Sequence, residues 1–240
     1  MTGWKIDRQR GSAREFHSRR PDDVGGRSVW IFEVDAPALA LGSSQPISDV
    51  DDVVAARLGV DVFRRHSGGG AVLMAPRTCV WIDIVLPVGD PLWTADVSLA
   101  PMWLGEVWAS ALGAVGAGDG EVHRGAMVRP PLAGVICFAG VAPGEVSLAG
   151  KTVGISQRRT RDVARFQSIA LLEWDPSAHR SLLGPGIRRV GAATAPASGV
   201  DAEPAAEPAA DPASVDVTPV PRTDVEALTS AFLTELDRHS

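Results

Sequence analysis

Two short stretches carry residue types and spacings that could do chemistry. The first is RRHSGGGAV, Arg64 to Val72. Glycine loses more backbone entropy on folding than any other residue, so three in succession imply a need for bare backbone. The N–H groups of such a turn can converge on one concavity, with no side chain blocking an anionic or planar ligand. A neighbouring arginine adds a planar fork suited to phosphate or carboxylate. The preceding residues alternate as a strand does. Val60, Val62 and Arg64 share one face; Asp61, Phe63 and Arg65 share the other, so one arginine serves the loop and the other does not. The stretch is not a P-loop, because GxxxxGK[ST] is absent. It is not a dinucleotide fingerprint either, because AVLMAPRT does not open a helix.

The second stretch is AGKTVGISQRR, Ala149 to Arg159. Lys151 follows a glycine at a strand entrance, where its point charge can reach an acyl carbonyl or a phosphate. Gly154, Ser156 and Gln157 leave the backbone beside it accessible. The plainer reading is a surface lysine that discourages edge-to-edge pairing. A third candidate is Cys137 in GVICFAG, since a nucleophilic thiol needs a cationic or basic partner. Its flanks, Ile136 and Phe138, point to a buried strand position, as do the surroundings of Cys79. The two cysteines have no metal-ligand spacing and make no disulfide framework.

These residues must be positioned by a framework that the sequence outlines. A polar, basic stretch over 1–27 reads as a flexible arm. VWIFEV, 29–34, is β-rich, and ALALGSSQ, 38–45, is a short strand with a turn. SDVDDVVAARL, 48–58, reads as a helix with Ser48 and Asp51 as a capping box and Gly59 as its stop. AVLMA and CVWIDIVLP read as a buried hairpin or two adjacent strands. Leu104, Val107, Trp108, Ala111 and Leu112 fall on one helical face within 98–112, with Pro101 suiting a first turn. Gly134–Gly140 is a strand candidate, 151 onward is a pair of strands, and SAHRSLL, 177–183, is a short helix. Residues 192–221 are nearly all Ala, Pro, Gly, Ser, Thr and acids, the composition of a disordered linker. TDVEALTSAFLTEL, 223–236, is an amphipathic helix within the terminal segment 222–240, which docks on the body at 28–191. Strands in pairs with irregularly placed helices indicate α+β, a mixed or antiparallel sheet flanked by helices.

Composition narrows the function classes. The 240 residues are 45% hydrophobic, enough for one sizeable core. The formal charge is −6, and residues 192–221 hold five acids and no base, so the rest carries about −1. A near-neutral body does not advertise nucleic-acid binding. No apolar run approaches the roughly 20 residues of a membrane span, and the start lacks a signal peptide's apolar centre. A soluble, cytoplasmic protein is expected.

Taken together, RRHSGGGAV and, some 80 residues on, GKTVGISQRR resemble the lipoate–protein ligase and octanoyltransferase family, within the biotin/lipoyl protein ligase superfamily. ALALGSSQ is similar to the family's earlier Gly-x-x-Gln strand end. The resemblance spans roughly 29–185. It implies the superfamily's class II synthetase-like catalytic fold. It further implies a ligase in which ATP and lipoate or octanoate, with Mg2+, give an acyl-adenylate. The acyl group then passes to a lysine of a lipoyl-carrier domain or H-protein. By position, Lys151 takes the catalytic role. Arg65, Ser67, Gly68, Gly69, Gly70, Ala71, Val72, Leu73, Gly154 and Ser156 take substrate and nucleotide contacts. Octanoyltransferases of the superfamily hold the acyl group on a cysteine, which makes Cys137 the candidate for a thioester route. A third class is a binding module that kept the pocket and lost the chemistry. The chain departs from the family pattern in places. Met74 and Thr78 stand where a His and an Asn are usual, Glu145 is the only acid near the usual Asp, and Phe166-Gln167-Ser168 replaces a His-Gly pair.

Overall fold

The structure, a computed structural model, describes residues 3–21, 25–194 and 211–239. Its framework is a seven-stranded sheet. The strands are β1 (Lys5–Gly11), β2 (Ser28–Val34), β6 (Cys79–Pro87), β7 (Glu121–Val122), β8 (Val146–Ser147), β9 (Lys151–Arg159) and β10 (Val163–Leu171), in spatial order β1-β2-β6-β10-β9-β8-β7. Only β1 and β2 run parallel; the other pairings are antiparallel. A second, three-stranded sheet sets β3 (Ala38–Leu41) between β4 (Asp61–Arg64) and β5 (Val72–Met74). The helices are α1 (Ala13–Ser18), α2 (Asp52–Arg57), α3 (Met102–Ala114), α4 (Pro176–Thr194) and α5 (Val225–Arg238). The architecture is α+β, a mixed sheet flanked by helices.

CVWIDIVLP is buried from Cys79 through Leu86, and β6 accordingly lies inside the sheet with both faces covered. One face packs on α3 through Leu104, Val107, Trp108, Ala111 and Leu112. Over α3 lies α5, whose Leu228, Phe232 and Leu236 are fully buried; the Phe232 and Trp108 rings meet at 4.4 Å. Each such side chain contributes about 1.5–3 kcal/mol by leaving water. The other face, with Trp30, Phe32, Trp81 and Val85, is covered by α1 and the small sheet.

Five expectations change. The helix expected over 48–58 is confined to Asp52–Arg57 and capped by Asp51, not Ser48, which lies in a separate 3-10 turn at Ile47–Asp49. The described part of 1–27 is not an arm: β1 pairs with β2 over seven residues, and α1 is capped by Ser12, whose Oγ accepts from Glu15 N. β5 and β6 are not a hairpin, since they belong to different sheets. Gly134–Gly140 is not a strand. Its backbone makes two 3-10 turns, Pro131–Gly134 and Cys137–Ala139, because Pro130 and Pro131 start the first and Ala71 engages the second. The helix expected over 177–183 runs on to Thr194, with Pro185 inside it.

Residues 195–210 of the expected linker lie outside the described residues. Its described end, 211–221, forms a 3-10 turn at Pro212–Ser214 and then a strap along the start of β9. Lys151 N donates to Asp216 O, Thr218 N donates to Lys151 O, and Gly150 N donates to Thr218 Oγ1. Thr152 Oγ1 donates to Thr218 O at 2.7 Å. Gly150 must be glycine here, because a Cβ would collide with the Asp216 backbone and carboxylate.

Candidate active site

The alternating faces of β4 sort the two arginines. Arg64 is exposed and donates to the carbonyls of Gly42, Ser43 and Gln45, bracing the turn after β3. Arg65 is buried, 7% exposed, and turns inward. Its Nη1 donates to Ser67 Oγ, and its Nη2 to Gly70 O and towards Cys137 Sγ at 3.3 Å. Its Nε is buried without a partner, and no carboxylate pairs with it among the described residues.

The three glycines do different work. A Cβ on Gly68 would meet open space. Gly69 has φ +90°, which L side chains rarely adopt, and its carbonyl fills the space where Gly42 would carry a Cβ. Gly70 presses on Val135 and Ile136 so closely that a Cβ would overlap their backbone. That approach lets Ala71 N donate to Val135 O and Cys137 N donate to Ala71 O. The loop's exit thus holds the cysteine-bearing turn by backbone hydrogen bonds.

Lys151 opens β9, 2% exposed. Its Nζ donates to Gly140 O at 2.8 Å and to Cys137 O at 3.3 Å, and pairs with Glu145 Oε2 at 2.7 Å. Glu145 is itself fully engaged. Oε2 also accepts from Ala142 N, and Oε1 from Ile155 N. The Phe138 ring lies 5.0 Å from Nζ and rests on Gly154, where a larger residue would crowd it.

Two cavities meet at this cluster. The outer one, about 790 Å³, is lined by Arg65, Ser67, Gly68, Gly69, Cys137, Lys151 and Ser156, with Arg129 and Arg189 among the remaining residues. The inner one, about 40 Å³, runs from Arg65, Cys137 and Ser156 between Val72, Trp81, Phe138, Gly154 and Ile169 to His17 and Gln167. Of the residues expected at the site, Gly70 and Ala71 line neither cavity but shape the loop, and Leu73 lines neither, half-buried against the cluster that holds Leu39 and Leu41. Cys137 is half-buried at the junction, not enclosed in a strand. Cys79 is fully interior, and burial pushes its thiol up to about 12.

The inner end was not legible as a site. Gln167 on β10 sits opposite Asp83 of β6, and its Nε2 lies 3.3 Å from His17 Nδ1. Asp83 accepts from Trp81 Nε1 and pairs with Arg165 at 2.6 Å. Arg165 donates onward to the carbonyls of Phe16, His17 and Arg19, so a buried ion pair pins the end of α1. His17 is 8% exposed against Trp81 and Phe63. Burial first, then the charges of Arg165 and Arg65, lower its imidazole to about 3, so it is neutral. The Ser12–Glu15 spacing, a capping box, was the signal in the sequence for α1.

The fold is that of a lipoyl protein ligase-type catalytic domain. Residues 14–202 match the family model of the lipoyl protein ligase A/B catalytic domain, and the chain belongs to that family. Protein Ta0514 from T. acidophilum, solved with bound lipoic acid, superposes with TM-score 0.69 at 14% identity, covering 100% of this chain and 85% of that one. A lipoate-protein ligase A bound with ATP gives 0.66 at 13%, covering 100% and 85%. The bipartite lipoate protein ligase of Thermoplasma acidophilum, studied with its E2 lipoyl domain, gives 0.60 at 14%, covering 99% and 82%. A comparison with curated proteins finds no match. No helix among the described residues is long and apolar enough to cross a membrane.

Proposed function

We propose that this chain transfers a lipoate-type or octanoate-type acyl group to a lysine of a lipoyl-carrier domain or H-protein, holding it meanwhile as a thioester on Cys137. The observation that carries this reading is the place of the sulfur. It stands at the junction of an apolar inner cavity and an open outer one, 3.3 Å from Arg65 Nη2. A nucleophilic thiol needs a cationic partner, and Arg65 is a buried cation without a carboxylate.

In the first step the Cys137 sulfur attacks the carbonyl of an acyl thioester, and the donor's thiol leaves with the proton. In the second, the acceptor lysine's neutral amine attacks the acyl-cysteine. The C–S bond breaks, the amide forms, and the amine proton passes to the departing sulfur. Each step develops an oxyanion, which positioned cations in a shielded site stabilise. Arg65 is the cation nearest the sulfur, and the hydrogen bonds of Lys151 to the carbonyls of Cys137 and Gly140 hold the turn that carries it. The exposed outer cavity receives the carrier. A reducing cytoplasm suits an enzyme that needs a free thiol.

A second reading, ATP-dependent adenylation, is supported by the size of the outer cavity and its lining of Arg65, Arg129 and Arg189. ATP would then be the co-substrate that activates the carboxylate. Glu145 does not fit as a Mg2+ ligand, because both its oxygens are taken by Lys151 and backbone N–H groups.

The test is to offer the protein octanoyl-pantetheine and, separately, octanoate with ATP, and to follow intact mass. A hydroxylamine-labile adduct from the thioester alone, absent in Cys137→Ser and Cys137→Ala, is expected. Pyrophosphate release with octanoate or lipoate, unaffected by Cys137→Ala, would replace the thioester route with adenylation.

A further inference from the structure

His17, which lines the inner cavity, carries a hydrogen-bond donor without a partner among the described residues. His17 Nδ1 lies 3.3 Å from Gln167 Nε2. An amide Nε2 can only donate, so Nδ1 is the acceptor of that bond. A neutral imidazole that accepts at Nδ1 carries its proton on Nε2. That Nε2–H has no hydrogen-bond partner among the described residues. It is not sealed off either, and His17 lines the cavity that begins at Cys137.

Most of the inner wall is apolar, at Val72, Trp81, Phe138, Ile155 and Ile169, and Arg65, Glu145 and Ser156 also line it. A donor facing such a space either bonds to what fills it or incurs a desolvation penalty. The cavity, about 40 Å³, has room for the end of an acyl chain or for a water. A water held on Nε2–H leaves without loss only if the incoming group can accept that hydrogen bond. A terminal methyl cannot.

We propose that His17 is a specificity-determining residue: it selects acyl groups that carry a hydrogen-bond acceptor near the end remote from the carboxylate. This rests on the acyl-transfer reading for the path of the chain, from Cys137 inward. The ligand class is then a medium-length carboxylic acid with a distal carbonyl or comparable heteroatom, in preference to a plain alkyl acid. His17 acts by contact with that distal group and takes no part in the chemistry at the carbonyl. The Asp83–Arg165 pair and Gln167 are positioning residues, since they hold α1 and set the tautomer.

The experiment is equilibrium calorimetry on the full chain with free acids: octanoate, 6-oxooctanoate and 7-oxooctanoate. At least one keto acid is expected to bind about tenfold or more tightly than octanoate. In His17→Phe, which keeps ring packing on Trp81 and removes the donor, that ratio is expected to fall to about one. Equal binding of all three acids by the unmodified chain overturns the inference without recourse to any variant, as does a preference that survives in His17→Phe or binding of none. A preference that is present, and lost in His17→Phe, while no thioester donor acylates Cys137, upholds the inference and overturns the acyl-transfer reading instead.

Discussion

Lys151 Nζ lies 2.7 Å from Glu145 Oε2, with both side chains almost sealed from solvent. Removing one member of such a pair strands the other charge, typically at about 3–5 kcal/mol. Glu145→Leu should therefore lose about that much stability in urea unfolding. Glu145→Leu combined with Lys151→Met should recover most of it while remaining inactive. A double variant no more stable than the single one would show that the pairing is not what makes Glu145 matter.

The loop glycines separate by position. Gly68 faces open space, so Gly68→Ala should leave the melting temperature nearly unchanged. Gly70→Ala forces a Cβ into the Ile136 backbone and should cost about 1–3 kcal/mol, as overpacking does. Because the Cys137 turn hangs on Ala71, Gly70→Ala should also change the rate of Cys137 alkylation by iodoacetamide. Equal behaviour of the two variants would contradict this division.

Acid sensitivity follows from His17. Its imidazole is neutral in the fold, lowered to about 3, whereas in the unfolded chain it charges below about 6.5. The unfolded state then binds the extra proton, so stability is intact above that range and falls as the pH drops from 6.5 towards 3. Near pH 5 the loss from this group is about 2 kcal/mol. Burial lowers His179 as well, adding to the same trend. Denaturation curves of His17→Phe should show a flatter dependence over this window; an unchanged slope would mean that His17 is not the group responsible.

The strap gives a prediction remote from the chemistry. Thr218 bonds Gly150 N through its hydroxyl and Thr152 through its carbonyl. Thr218→Val keeps the shape and leaves Gly150 N unmatched, at a cost of about 1–3 kcal/mol. Transfer activity should fall with it, since the same residues frame Lys151. Wild-type stability and turnover in Thr218→Val would detach the strap from the site.

Much of the framework was legible because its signals are local. The alternation around Phe63 separated Arg64 from Arg65, the apolar stripe gave α3, and the paired runs after Lys151 gave β9 and β10. The segments misread were those whose structure depends on distant partners. Residues 5–11 have no alternating apolar face, and become β1 only because β2 offers an edge. Ile136, Cys137 and Phe138 have strand composition, but Pro130, Pro131 and the close approach of Gly70 make turns of them. The motif residues were visible for what they could do. That Arg65 would meet Cys137, 72 positions away, was not visible, and neither was His17 at the end of the cavity.

The strap also sets an order in time. Thr152 and the Thr218 that completes its strand edge are separated by 66 positions. At synthesis rates of about 5–20 residues per second, the nascent chain holds Lys151 for roughly 3–13 s before its edge partner exists. During that interval the Lys151–Thr152 edge lacks its cover, as an unpaired strand edge open to misassociation. The enzyme's site is thus among the last parts of the molecule to be completed, and a chain stalled before Thr218 would carry every motif and still lack a finished pocket.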